Sequence, residues 1–292
     1  MVNPIQLKQQ VPHTNPSFPF RVFRIVPPER QIMHLHWHDD WEIVWLKRGS
    51  VVFHIGSERI RPKPGDLLFV GSGLIHTGFA EDDGPVEYEA IVFHPTTAGG
   101  SASDALQRRI VDPFVTGSAF FPVHVPVEHP HYAALIGIVR ELIDEYAARS
   151  IGYELAIRAK LHLLLVHLVR HHDAWSGPPK AHAIDREQYA SFKRLIALIE
   201  ERYEDKWTVA HASSIVNVSE YHFCRTFKRI TGKTFVEYVN LQRINAAERL
   251  LLETEAPVTD IAYRVGFGSV NYFSQLFKQY KRVSPSECRK RG

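Results

Sequence analysis

The sequence predicts an α+β chain: a small antiparallel β-barrel or sandwich, then a helical hairpin, then an all-α C-terminal domain of two helix-turn-helix units. Three observations predict it. From Phe20 to about Pro95, short β-branched and aromatic runs alternate with Gly- and Pro-bearing turns, the signature of many short strands. From His131 to His172, apolar residues recur at three- and four-residue spacing, broken once at Ser150-Ile151-Gly152, as in two amphipathic helices. Finally, Trp207–Ile230 laid on Pro257–Tyr280 at an offset of 50 repeats its chemistry. Ala212 meets Ala262, Ile215 meets Val265, Ser219 meets Ser269, Phe223 meets Phe273, Phe227 meets Phe277 and Lys228 meets Lys278.

In chain order, residues 1–20 carry prolines and amides without periodicity and read as an arm. Residues 21–129 read as the β domain, with strands expected at Arg21–Val26, Gln31–Trp37, Glu42–Lys47, Ser50–Ile55, Asp66–Val70 and Tyr88–His94. Its chemistry-bearing residues are His36-x-His38-x-x-x-Glu42, then Gly65, Gly73 and His76. Strand alternation puts His34, His36 and His38 on one face. Imidazole and carboxylate together suit a divalent transition metal, Fe, Mn, Ni, Cu or Zn. The same groups also grip a polyol or an acid by hydrogen bonds. Both ligands stay open: an effector held by His34, His36, His38, Glu42 and His76, or a metal held by His36, His38, Glu42 and His76. Each histidine taken singly is an ordinary interior residue, and Trp37, Trp41 and Trp45 read as wall and core. This stretch is similar to the two cupin motifs, departing at Gly71 and Ala80, where cupins usually have Pro and Asn. In metal-binding cupins two His, a Glu and a later His form the ligand set.

Between Pro95 and His129 a small-residue loop at Thr96–Ser103 and a short helix at Asp104–Val111 are expected, with no functional reading. Residues 130–172 are the hairpin. Leu135, Ile138, Leu142 and Tyr146 stripe its first helix; Ile157, Leu161, Leu164 and Leu168 stripe the second at 4-3-4 spacing. That spacing suits packing on the barrel or a seam with a second subunit, hence a homodimer. Residues 173–186 are a linker, since Ser176-Gly177-Pro178-Pro179 cannot continue a helix.

Residues 187–292 open with a helix striped by Phe192, Leu195, Ile196 and Ile199. Ser219 and Ser269 stand where N-caps are wanted. Behind them Phe223, Phe227 and Ile230, and Phe273, Phe277 and Tyr280, form buried stripes. The opposite faces carry Tyr221, Cys224, Arg225 and Lys228, then Asn271, Ser274, Gln275 and Lys278. Arg can fork onto guanine, and Asn or Gln onto adenine. Lys228, Lys278 and Arg229 suit phosphates. Double-stranded DNA is thus the expected partner. The charge agrees: from Ala181 onward 18 Lys+Arg face 13 Asp+Glu, within a net charge of +3 for the chain.

This region resembles the AraC/XylS transcription regulators from about Trp207 to Arg289. The match includes Asp260-Ile261-Ala262, Val265-Gly266-Phe267-Gly268-Ser269, Phe277-Lys278 and Val283-Ser284-Pro285. It departs at Lys281 and Arg282, where the family usually has an apolar residue and a Gly, and at Gln275, usually basic. The resemblance implies two subdomains joined by a helix at about Phe235–Leu252 and bound to neighbouring major-groove faces. It also implies a ligand-responsive regulator of transcription with a small polar effector such as a sugar in the barrel, and RNA polymerase as a possible partner. A metal-sensing regulator, and a metal-dependent cupin enzyme with a DNA-binding tether, are the alternatives. The bet is that the chain is no enzyme, because no other acid–base or nucleophilic constellation stands out. Cys224 and Cys288 make no disulfide framework, and no apolar run nears the roughly 18 residues of a membrane span. A cytoplasmic protein with reduced thiols is expected.

Overall fold

The computed structural model describes residues 8, 17–28, 30–98, 107–116, 121–171 and 186–290. Of the arm expected over 1–20, Lys8 and Ser17–Phe20 are described, with Phe18 and Phe20 buried in the core; of the linker expected over 173–186, all but Arg186 lies outside the described residues. The chain divides into two compact units, Lys8–Ala183 and Ile184–Gly292.

The first unit holds nine strands among its described residues: β1 (Phe20–Ile25), β2 (Met33–His36), β3 (Trp41–Arg48), β4 (Val51–Ile55), β5 (Glu58–Ile60), β6 (Leu67–Val70), β7 (His76–Ala80), β8 (Glu87–Phe93) and β9 (His124–Val125). They form two antiparallel sheets, β1-β8-β3-β6-β9 and β2-β7-β4-β5. Val44, Leu46, Leu68, Val70, Tyr88 and Ala90 from one sheet meet Met33, Val51, Phe53, Ile55 and Ile60 from the other in a shared interior core. Each expected strand is present. β5, β7 and β9 were not anticipated. β5 is three residues long, β7 carries Gly78 at its centre, where the apolar run of the sequence breaks, and β9 is tied in by Asp66, which accepts hydrogen bonds from His124 Nε2 and the backbone N–H of Val127.

The strand β3 is apolar on both faces because both are covered. Val44 and Leu46 point between the sheets, while Trp41 and Ile43 join a second core with the hairpin. After α1 (Pro95–Ala98), Gln107–Val111 forms a π-helical turn leading into α2 (Asp112–Thr116). The hairpin is α3 (Tyr132–Ala148) and α4 (Tyr153–Arg170). Leu135, Val139 and Leu142 of α3 and Ile157, Leu161, Leu164 and Leu168 of α4 pack with Phe20, Trp41, Ile43, Phe69 and Phe93. Each such burial is worth about 1.5–3 kcal/mol. The 4-3-4 seam is therefore filled by the chain's own barrel.

The second unit, in its described residues, is helical: α5 (Arg186–Glu201), α6 (Val209–Ile215), α7 (Glu220–Thr231), α8 (Phe235–Glu253), α9 (Val258–Arg264), α10 (Val270–Lys281) and α11 (Pro285–Arg289). Phe192, Leu195, Ile196 and Ile199 of α5 are fully buried, and Phe192 stacks on Phe223 at 5.7 Å. Capping boxes start α8 at Thr234/Glu237 and α11 at Ser284/Glu287. The repeat is not a uniform 50. The α6 and α9 helices are related by 49: Val216 and Val265 are their C-caps, and Asn217 and Gly266 both have positive φ. The N–H of Val218 donates to Ser213 as that of Phe267 donates to Ala262. Ala212 thus corresponds to Ile261, and Ile215, 40% exposed, does not correspond to buried Val265. The extra residue is Gly268, inserted before the second N-cap serine. Gly266 admits no substitute: φ is +96°, and a Cβ would lie 2.6 Å from the carbonyl oxygen of Glu204.

Candidate ligand site and nucleic-acid interface

Four residues converge where β2 and β7 meet the start of β3. His36 pairs with His76 across the two strands, His38 follows β2, and Glu42 is the second residue of β3. Glu42 shares parity with Val44 and Leu46, so it points between the sheets. His76 is fully buried; His38 and Glu42 are nearly so, and His36 is half-buried. One donor atom from each of the four lies within 4.8 Å of the others.

Each imidazole is fixed the same way. The Nδ1 of His36 bonds the carbonyl of His34 at 2.7 Å, that of His38 the carbonyl of Asp40 at 3.0 Å, and that of His76 the carbonyl of Leu74 at 2.8 Å. A carbonyl only accepts, so each Nδ1 carries a proton and Nε2 is left for the interior. The Nε2 of His38 is 3.2 Å from Oε2 of Glu42 and hydrogen-bonded to it. The Nε2 of His76 is 3.1 Å from the same oxygen and is buried without a hydrogen-bond partner.

The charges follow from this crowding. Burial pushes the His36 ring down to about 3, with His76 adding to the shift. Burial also opposes charge on His38, but the hydrogen bond and charge of Glu42 outweigh it and raise that ring above its ordinary value. Glu42 itself resists burial: the bond from His38 and the adjacent His76 hold its carboxyl well below the usual carboxylate range. The site therefore contains a carboxylate, one ring that favours a proton, His38, and one that favours a lone pair, His36.

The structure separates His34 from this group. It is exposed, while its carbonyl steadies His36. The parity argument fails because the register shifts between Met33 and His36, which face Gly78 and His76. Of the tryptophans, Trp41 is core, and Trp37 and Trp45 are half-buried. Sequence reading missed Lys8. It makes a parallel bridge to Trp37, between two of the histidines, and its ammonium pairs with Asp39 at 2.8 Å. The backbone acceptors of Asp40 and Leu74 were equally invisible, since carbonyls belong to every residue.

In the second unit the two serines cap as expected, Ser219 accepting from His222 N–H and Ser269 from Tyr272 N–H. Phe223, Phe227, Ile230, Phe273 and Phe277 are fully buried. Their burial turns Tyr221, Cys224, Arg225 and Lys228 of α7, and Asn271, Gln275 and Lys278 of α10, to the outside. Ser274 is half-buried. So is Arg229, whose charge is disfavoured by burial and by neighbouring Arg225. Positions i, i+4 and i+7 of each helix thus form one exposed stripe: Tyr221, Arg225 and Lys228, then Asn271, Gln275 and Lys278. No helix among the described residues is long and apolar enough to cross a membrane.

Known proteins agree with both halves. A family model for the AraC-like ligand-binding domain matches residues 25–165, and one for a helix-turn-helix domain matches residues 212–291. The HTH-type transcriptional regulator YdeC of Bacillus subtilis is 26% identical over 261 residues, covering 88% of this chain and 86% of that one. The HTH-type transcriptional activator RhaS of Escherichia coli is 37% identical over 97 residues, 32% of this chain and 34% of that one. Among solved structures, the C-terminal domain of the two-component response regulator yesN from Fusobacterium nucleatum is 37% identical, covering 33% of this chain and 96% of that one, at a TM-score of 0.32. The chain belongs to the AraC family of transcription regulators, joining an AraC-like ligand-binding domain to a helix-turn-helix DNA-binding domain.

Proposed function

We propose that this regulator senses its signal at His36, His38, Glu42 and His76, and that these four residues hold a divalent transition metal. The observation that carries the reading is the common orientation of the three imidazoles, each with Nδ1 on a backbone carbonyl and Nε2 turned inward. Outer-shell acceptors of this kind fix metal-ligating histidines. The buried Nε2 of His76, without a hydrogen bond, and the buried charge of Glu42 both call for a cation. When bound, the ion supplies positive charge beside Glu42 and a Lewis-acidic centre for an oxygen donor of a small molecule. His38 gives up its proton on ligation, so uptake is pH-dependent. A polar organic effector, such as a sugar, gripping the same set is the second reading. Half-buried His36, with exposed His34 beside it, favours that reading by giving access.

Tyr221, Cys224, Arg225 and Lys228, and Asn271, Ser274, Gln275 and Lys278, are the groups we assign to two adjacent major-groove faces, with Arg229 near phosphate. A homodimer fits the outer side of α4, where Leu155, Ala159 and Leu163 are exposed at four-residue spacing. Elemental analysis of the purified full chain, before and after reconstitution with Zn, Fe, Ni, Mn or Cu, tests the metal. One equivalent is expected at the barrel set, lost in both His38→Ala and Glu42→Ala. A protein whose metal content ignores both substitutions, and whose thermal stability rises with a sugar or acid instead, sinks the metal reading in favour of the second.

A further inference from the structure

Four more histidines gather at the open end of the hairpin, where α3 begins and α4 ends. His129, His131, His167 and His171 are all half-buried. The rings of His131 and His171 stack with centroids 3.5 Å apart at 19°. His167, one turn earlier on α4, lies 6.3 Å from His171, and His129 lies 5.6 Å from His131. The N–H of His131 donates to Nδ1 of His129 at 3.2 Å. The proton of neutral His129 therefore sits on Nε2, which makes that ring a donor rather than a ligand.

Burial holds His171 below its ordinary value, and His131, His167 and Arg170 add to the shift. Burial does the same to His129, aided by His131 and His171. Neutral imidazole is the metal-binding form. We propose that His131, His167 and His171 form a second site for a divalent transition metal, separate from the barrel set. Two of its ligands stand four residues apart at the end of one helix, a spacing that serves metals elsewhere. The third comes from the facing end of the hairpin. Three imidazoles without a thiolate select Cu, Ni or Zn over Mg and Ca. Among the described residues only the barrel set already has its donor atoms within 4.8 Å of one another. Here the rings must rotate to converge, and the site is correspondingly the weaker of the two. His171 is the last described residue before 172–185, the stretch that joins the two units. A bound ion pins the C-cap of α4 to the N-cap of α3.

The test titrates Cu²⁺ into the full chain and reads nitrogen coupling by electron paramagnetic resonance. Zn²⁺ competition gives the affinity. In a Glu42→Ala/His76→Ala protein that keeps its circular dichroism spectrum, one equivalent is expected to remain. His171→Ala or His131→Ala should weaken it about tenfold or more. Should the double variant not fold, wild type compared with His171→Ala reads the same equivalent as a drop in stoichiometry by one. Binding that ignores both His131→Ala and His171→Ala overturns the proposal. A wild-type stoichiometry of one, lost in His171→Ala and kept in Glu42→Ala, upholds it while removing the barrel reading.

Discussion

Around the buried carboxylate of Glu42, His36 and His38 respond in opposite ways. His36 is pushed down to about 3 from 6.5. Between those values the unfolded chain takes a proton that the folded chain refuses. Stability of the metal-free protein therefore falls as pH falls below about 6.5, by at most about 1.4 kcal/mol per unit from this group. Glu42 has the same sign: its depressed value gives stability present above the unfolded carboxylate range and lost on acidification. His38, raised, does the reverse, contributing below about 6.5 and losing that contribution as pH climbs through its folded value. Urea unfolding in chelator at pH 5 to 7.5 should show a shallower acid slope for His36→Gln than for wild type. Parallel slopes would remove His36 from the account. On α7, Arg225→Ala should cost about 1–3 kcal/mol on a specific site and little on random DNA, whereas Lys278→Ala on α10 should weaken every sequence alike. Binding measured on a specific and a scrambled duplex at fixed salt checks this, and uniform loss for Arg225→Ala sinks its role as a base reader.

At the level of elements, α7 and α10 end alike with different residues. Gly232 and Arg282 both cap in the left-handed region, at φ 72° and 62°, and their N–H groups bond the carbonyls of Lys228 and Lys278. Gly takes that conformation freely, while a residue with a Cβ costs about 1–2 kcal/mol. Arg282→Gly should therefore raise the unfolding free energy by roughly 1 kcal/mol, read by denaturant titration. No gain, with the fold intact, would mean Arg282 makes compensating contacts. The sequence displayed this departure from the family pattern without giving its consequence, since φ is a property of the folded turn. The 49-residue relation of α6 to α9 escaped for a similar reason. Matched serines and phenylalanines fix the second helix of each unit, but only hydrogen bonds reveal that Gly268 is the insertion.

For the molecule as a whole, the apolar residues of α4 lie in two environments on two sides. Leu161 is fully buried against the barrel core, and Leu163 is 54% exposed. Leu161→Ala should lower stability by about 2–5 kcal/mol, and Leu163→Ala by no more than about 0.5 kcal/mol at protein concentrations where the chain is monomeric, both read by denaturant titration. If the outer side is the subunit contact, Leu155→Glu with Leu163→Glu gives a folded monomer by sedimentation, with weaker operator binding. A dimer that survives both changes places the contact elsewhere.

Local pattern determined a good deal by itself: six of the nine described strands, the hairpin, the serine caps, the aromatic stripes, and hence which faces of α7 and α10 turn outward. These depend on neighbours within a few positions, and periodicity records them. The joining of His36, His38, Glu42 and His76 was foreshadowed by motif and decided only by tertiary structure, because a bulge between Met33 and His36 resets which residues point inward. The fate of the 4-3-4 seam was likewise decided by folding. An apolar stripe says that it will be covered, and only the packed chain says by what.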